Sequence, residues 1–423
     1  MPEDYKPLKY TLAKTFLSRK NLLVFLASIV FTPNICFSMT FREALHQIET
    51  HEKPLVLSLQ SQSLAQEARR QGSWGDPSLK VMSKNLPYPS LQDNKTPMSG
   101  LEIALSGTLP LSFKKTHQEN SARHLSEAVY WQARQSKREL QLDLWKHVIT
   151  VKKLKRQKQI LEENLEWVRK IIDVSKNLYA NGKVSQQAIL ELQIRKSELE
   201  SQLINIDFEL TAQQNKLRYL VGGRESSQEI THIPWQLLTL TKTRDNLTDS
   251  LEQSLSAAAK AKEATVQAKA SSLIPDVTIS LSYTKRANID DLGDFVSISA
   301  QLPIPVSNMT RSDYRKAIYE DKAEKKRLAN YREEKTVTLR NIEIDYLKLQ
   351  RQIDILENES IKFARNARDI TAKAYELGSE TYIALLQSEL KLQELLFKLS
   401  NLTANKELNS ISYKFVRGET LHD

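Results

Sequence analysis

Glycine and proline are scarce in this chain, at 10 and 13 among 423 residues. In ordinary globular proteins the pair makes up roughly a tenth of all residues. So few turn formers mean few turns, and therefore long elements. That excludes a sandwich of many short strands and argues against a glycine-rich nucleotide-binding sheet. Cysteine is nearly absent too, with a single residue, Cys36. A disulfide within the chain is excluded, and stability must come from packing. No phosphate-binding loop, Gly-x-Ser-x-Gly elbow or His-Glu-x-x-His pair occurs. His117 and His124 share a helix face, but no cysteine or carboxylate completes a metal set, and they read as solvated helix residues. Paired carboxylates such as Glu162-Glu163 lie in charged helical sequence. No catalysis, metal or cofactor is expected.

Hydrophobic content of 40% beside 26% charged residues is enough to form a core and excludes a disordered chain. The net charge of +10 raises the question of nucleic acid. Its signs are mixed along the chain, as over 321–351, and no nucleic-acid motif appears. The charge reads as solvated helix faces, with no nucleic-acid partner.

One apolar run stands out, the ten residues Leu22–Phe31. A membrane-spanning helix needs about 20. Lys6, Lys9, Lys14, Arg19 and Lys20 precede the run, and Pro33 and Cys36-Phe37-Ser38 follow it. This layout predicts a secretory signal peptide over 1–38, an uncleaved interfacial anchor being the alternative. Cys36 lacks the small residue that a lipid-acceptor cysteine expects just before it. Cleavage after Ser38 removes the only cysteine, and with it five basic and two acidic residues, lowering the charge from +10 to +7.

The rest of the chain repeats. Tyr179-x-x-Gly182, Ala188 and Leu190 match Tyr375-x-x-Gly378, Ala384 and Leu386 at an offset of 196. Leu199, Leu203 and Ile206 fall on Leu395, Leu399 and Leu402 at the same offset. Asp76-Pro77 lies near Pro275-Asp276, and Leu109-Pro110 near Leu302-Pro303. The organisation predicted is a first repeat over 39–225, a second over 226–415, and a tail over 416–423. Each repeat reads as helix, two strands, a long helix, a turn and a return helix.

In the first repeat, a helix over 40–72 breaks near Pro54, and residues 112–178 run without proline or glycine. At 1.5 Å per residue that is a rod of about 100 Å. It turns at Asn181-Gly182 and returns over 184–221, stopping at Gly222-Gly223. In the second, helices are predicted over 245–272, 308–377 and 382–414. Leu199, Leu203, Ile206, Leu210, Leu217 and Leu220 step as a coiled-coil seam, or equally as a bundle's core stripe. The strands alternate cleanly, Leu101, Ile103 and Leu105 against Glu102, Ala104 and Ser106, and Val296 and Ile298 against Ser297 and Ser299.

Four strands of about ten residues suit tilted outer-membrane crossings with a lipid face and a watery lumen. Four cannot close a barrel, and open edges are not tolerated in lipid. Three copies would supply about twelve strands, enough for an open conduit, whereas eight would be filled by side chains. The soluble alternative is a pair of hairpins capping a helical bundle.

Over residues 40–415 the chain resembles the outer-membrane efflux protein family, the TolC-like channel-tunnels. The matching residues are Met39-Thr-Phe-Arg-Glu-Ala-Leu45, Asp76-Pro77-Ser-Leu79, Leu302-Pro-Ile-Pro305 and the two Tyr-x-x-Gly tips. The resemblance implies a mainly α fold with a small β part. Long α-helical hairpins form an α-barrel tunnel across the periplasm, and four transmembrane β-strands per chain are completed to a 12-stranded barrel in a homotrimer. It implies a passive exit duct in the outer membrane of a Gram-negative bacterium, seated in outer-membrane lipid. A periplasmic adaptor at the tunnel's tip would join it to an inner-membrane transporter.

The tip and adaptor-contact residues carried over are Tyr179, Gly182, Val184, Ser185, Tyr375, Gly378, Ser379, Glu380 and Thr381. The tyrosines read as packing for the turn, or as partner contacts. Many members ring the periplasmic mouth with aspartates six residues after the tip glycine, and nine after it in the second repeat. Here those positions are Ala188, Ala384 and Gln387. Closure is therefore expected to rest on helix packing and on polar contacts from Glu380, Thr381 and Gln387. A protein-secretion exit duct of type I shares this pattern, and a non-conducting periplasmic coiled-coil scaffold is the alternative of another class.

Overall fold

The computed structural model describes residues 39–222, 230–239, 247–287, 289–305 and 307–421. The expected signal peptide, Cys36, Gly223 and the boundary between the repeats lie outside the described residues. The first repeat runs β1 (Met39–Thr40), α1 (Phe41–Glu49), α2 (Glu52–Gly72), β2 (Ser78–Lys84), β3 (Gly100–Leu109), α3 (Lys114–Ala180) and α4 (Gln186–Leu220). The second runs β4 (Ile230–Thr231), a 3-10 turn (Trp235–Leu238), α5 (Ser250–Ser271), β5 (Val277–Arg286), β6 (Phe295–Gln301), α6 (Asn308–Ile355), α7 (Ile361–Glu376) and α8 (Tyr382–Arg417).

Local chemistry explains the boundaries. Thr40 Oγ1 accepts from the Glu43 amide at 3.2 Å, and Glu43 Oε2 accepts from the Thr40 amide at 2.8 Å. The opening Met39-Thr-Phe-Arg-Glu segment is thus a short strand followed by a capping box. The break near Pro54 falls at Thr50–His51, and Pro54 sits in the first turn of α2, where a missing amide costs nothing. Asp249 caps α5, its Oδ1 accepting from the Leu251 and Glu252 amides at 3.0 and 3.1 Å.

Helix α3 spans 67 residues, about 100 Å of rod. Its counterpart is not one regular helix as expected. A single π-helical turn, Leu356–Ser360, divides α6 from α7, and the rod continues through it. The two rods, α3 and α6–α7, run the full height. Helices α2 and α5 flank their upper halves, and α4 and α8 flank their lower halves. Across the lower wall the order is α4, α3, α8, α6–α7, so α4 and α6–α7 are the free edges.

All four long strands form one antiparallel sheet in the order β2-β3-β5-β6, the two hairpins being joined through β3 and β5. Strands β2 and β6 have 7 residues each rather than the ten expected. Register aligns Leu79, Leu105, Leu281 and Ile298 in one row and Val81, Ile103, Tyr283 and Val296 in the next. These apolar side chains are all exposed. The opposite face carries the row Ser78, Ser106, Ser280 and Ser299.

The main core lies halfway down the rods. Phe41, Ile48, Leu144, Trp145, Leu220 and Ile411 meet there. A short parallel pairing, Met39 with Ile230 and Thr40 with Thr231, stitches the starts of the two repeats together at this level. Sequence patterning gave no sign of it, because two residues are too few to alternate. The expected tail also differs. Helix α8 runs on to Arg417, and beyond it Leu421 is buried in the main core, with Trp145 Nε1 donating to the Leu421 carbonyl at 2.8 Å.

Candidate functional site: the two helical tips

Both rods end in the same backbone motif. At the first tip the Gly182 amide donates to the Tyr179 carbonyl and the Lys183 amide to the Leu178 carbonyl, each at 2.9 Å. At the second, Gly378 donates to Tyr375 and Ser379 to Ala374, again at 2.9 Å. These are paired Schellman closures, with Gly182 and Gly378 at φ of +70° and +77°. The tight turn requires that left-handed conformation, so glycine is the residue that fits. The chain then re-enters helix from Ser185 and from Thr381, whose Oγ1 accepts from the Ala384 amide at 3.3 Å.

The side chains around these matched backbones differ. Tyr179 is 48% exposed, whereas Tyr375 is 0% exposed. The Tyr375 hydroxyl lies 2.8 Å from Ser175 Oγ, which itself donates to the Ile171 carbonyl. Tyr375 therefore packs the junction between hairpins, and its ring is not presented to a partner. Ser185, Ser379, Glu380, Thr381 and Gln387 are exposed, while Val184 and Ala384 are half-buried. Ala188 is fully buried although its counterpart Ala384 is not. The buried faces explain this. Helix α4 buries Ala188, Leu192, Arg195 and Leu199, and α8 buries Leu385, Glu389 and Leu392. At the repeat offset, α8 is one residue out of phase, a rotation of about 100°. The tips are thus equal in backbone and unequal in presented surface. The first carries Lys183 and the second Glu380. Glu380 makes a local contact, its Oε1 accepting from the Thr381 amide at 3.2 Å.

Two residues that the sequence reading passed over stand at the centre of the lower bundle. Arg195 Nε and Nη2 reach Glu389 Oε2 and Oε1 at 3.1 and 3.2 Å. Their side chains are 6% and 1% exposed. Arg195 also pairs with Glu198 at 3.2 Å and donates to Gln393, and Gln393 Nε2 reaches Gln202 Oε1 at 3.1 Å. Burial pushes the Glu389 carboxyl above its usual range, and Arg195 pulls it part of the way back. The available signal was heptad position, since both residues interrupt a run of buried apolar seam positions.

The edges of the wall are apolar as well. On α4, Leu190, Ile194, Ile204 and Phe208 are exposed, with Ser197 and Ser201 between them. On the opposite edge Ile344, Leu347, Ile355, Phe363, Ile370 and Leu377 are exposed. The step from Ile355 to Phe363 is eight residues and spans the π turn, whose extra residue keeps the stripe on one face.

No group of three histidine, cysteine or acidic residues able to hold a metal occurs among the described residues. No described helix is long and apolar enough to cross a membrane.

Full-height rods, a four-stranded sheet at one end and paired hairpin tips at the other make up a mainly α, TolC-like fold. Comparison with protein-family models gives no match, and comparison with curated proteins gives none. Solved structures do match. CusC, described for its folding and transmembrane channel formation, aligns at TM-score 0.76 and 14% identity over 90% of this chain and 92% of its own. The outer-membrane protein VceC of Vibrio cholerae aligns at 0.75 and 16% over 90% and 96%. The outer-membrane channel CmeC of Campylobacter jejuni aligns at 0.69 and 10% over 99% and 95%. The mainly α fold expected from the sequence is therefore the fold observed.

Proposed function

We propose that this chain is the protomer of a homotrimeric outer-membrane exit duct. It would be a passive channel of a tripartite efflux system in a Gram-negative envelope. The sheet is the observation that carries this reading. Its apolar rows are exposed, its serine row lies on the other face, and its outer strands β2 and β6 have free edges. Lipid is the medium that suits such a face, and pairing β6 with β2 of the next copy removes the edges. The two apolar stripes along the free edges of the helical wall call for the same neighbour. A soluble scaffold would leave all three surfaces in water.

The tips then face the periplasm. Ser185, Lys183, Ser379 and Glu380 are the side chains offered to a periplasmic adaptor, which would couple the duct to an inner-membrane transporter. The test is outer-membrane fractionation followed by mass measurement of the purified particle and planar-bilayer recording. The expected result is a trimer that conducts. A soluble monomer or dimer overturns the reading. Substituting Ile204 and Phe208 by serine is expected to release folded protomers from that trimer.

A further inference from the structure

We propose that the cleft beside His147 is a binding site for a small aromatic molecule that carries one hydroxyl group. The site lies within a single protomer and does not depend on the duct reading.

The cleft opens at the edge of the main core, where the first repeat meets the second. Helix α3 contributes Val148 and Val151, α4 contributes Leu217, and β4 contributes Ile230, with Ile233 and Trp235 just after it. Its volume is about 400 Å³. Pockets that hold small organic molecules run from about 300 to 1,000 Å³, with apolar walls and few polar groups. Lys152, Lys155 and Gln214 also line the cleft, and all three are exposed, so these polar side chains stand at its mouth. Lys152 lies over the Trp235 ring at 4.1 Å and pairs with Glu407 of α8.

His147 is different, because it lines the same cleft while only 4% exposed. Its Nδ1 is taken up by Gln213 Oε1 at 3.3 Å. The amide oxygen accepts, so Nδ1 carries the proton and Nε2 carries a lone pair. Burial, with Lys216 acting in the same direction, favours this neutral ring. No bond to a described residue occupies Nε2. A buried acceptor left without a donor is costly, and a bound molecule can supply the donor.

The chemistry of the occupant follows from that one atom and its surroundings. A carboxylate at the apolar end would set its lone pairs against that of Nε2. A cation would have to pass Lys152 and Lys155, and no carboxylate lines the cleft to receive it. A hydrocarbon would leave Nε2 unpaired. A hydroxyl donates one hydrogen bond to Nε2 and leaves an aromatic body against the aliphatic walls and the Trp235 indole. Because the walls come from both repeats, such a molecule would touch both where Met39 pairs with Ile230.

Equilibrium dialysis of the purified full-chain particle against beta-naphthol tests the site, with its methyl ether and beta-naphthoate as comparisons. Naphthol should bind saturably at one molecule per chain, and the ether and the carboxylate about tenfold more weakly. His147→Phe keeps a ring without Nε2 and should bring naphthol down to the affinity of the ether. Val151→Trp fills the cleft from a half-buried position on α3 and should abolish binding. Ile233→Trp is a second filling variant, and melting curves identify which of the two is folded. Absence of saturable binding overturns the proposal. So does binding that persists in a folded, filled variant, because the probe then sits elsewhere. Equal affinity of the unaltered particle for naphthol and its ether removes the hydrogen bond to His147, and the proposal with it.

Discussion

Tyr375 of α7 and Ser175 of α3 are joined by a hydrogen bond of 2.8 Å in a spot that water does not reach. Ser175 already donates to the Ile171 carbonyl, so the phenol is the donor between them. Replacing Tyr375 by phenylalanine keeps the ring and removes that donor. The expected cost is about 1 kcal/mol, near the middle of the range for a buried hydrogen bond. Tyr179→Phe, on a half-exposed ring, should cost nothing measurable. Thermal unfolding of the two variants side by side checks the contrast, and equal effects would contradict the inequality of the tips.

The turn glycines fail for a different reason. No atom lies within 4 Å of a Cβ placed on Gly182, so size is not the obstacle. Its φ of +70° is. Gly182→Val should therefore destabilise by roughly 1 kcal/mol or more through backbone strain alone, and Gly182→Asn by less. Chemical denaturation resolves that order. Valine tolerated as well as asparagine would mean that the turn had relaxed.

On the sheet, Leu105 pairs with Leu281 in the middle of the exposed apolar rows. Leu105→Arg places a charge where lipid is proposed, at a cost of about 2–4 kcal/mol near the midplane of the bilayer. The fraction of protein recovered in the outer membrane should fall. Ser280→Arg, on the opposite face, should insert normally. If both arginines are tolerated equally, the apolar face is not a lipid face.

A pH dependence follows from His147. It is buried on α3, with Nδ1 3.3 Å from Gln213 Oε1. Burial pushes its pKa below the usual histidine value. The folded chain then binds fewer protons than the unfolded one. The stability it contributes is complete above the unfolded value of about 6.5 and declines as pH falls toward the depressed folded value. Melting temperatures from pH 8 to pH 5 should drop less steeply in His147→Gln than in the unaltered chain.

Long elements, their order and their repetition were legible because each rests on many residues at once. A rod without glycine or proline over 112–178, a tip glycine at the same place twice and alternating strands are redundant signals. What escaped was carried by one or two residues or by geometry between distant segments. The parallel pairing of Met39 with Ile230 is too short to leave a pattern. The π turn at Leu356–Ser360 consists of residues that are acceptable in any helix. Arg195 and Glu389 look like members of ordinary charged faces until the phase of each helix is known. That phase is where the repeat misleads, because a common offset of 196 places Ala188 on Ala384 while packing sets the two return helices one residue apart.

That single-residue offset bears on recognition. The chain carries the same tip backbone twice, and the different rotation of the two return helices changes which side chains each tip shows. A binding protein that reads side chains at the first tip would find a different address at the second. The chain can therefore hold two unlike contacts with one partner, or one contact with each of two, without any change to the turn that supports them.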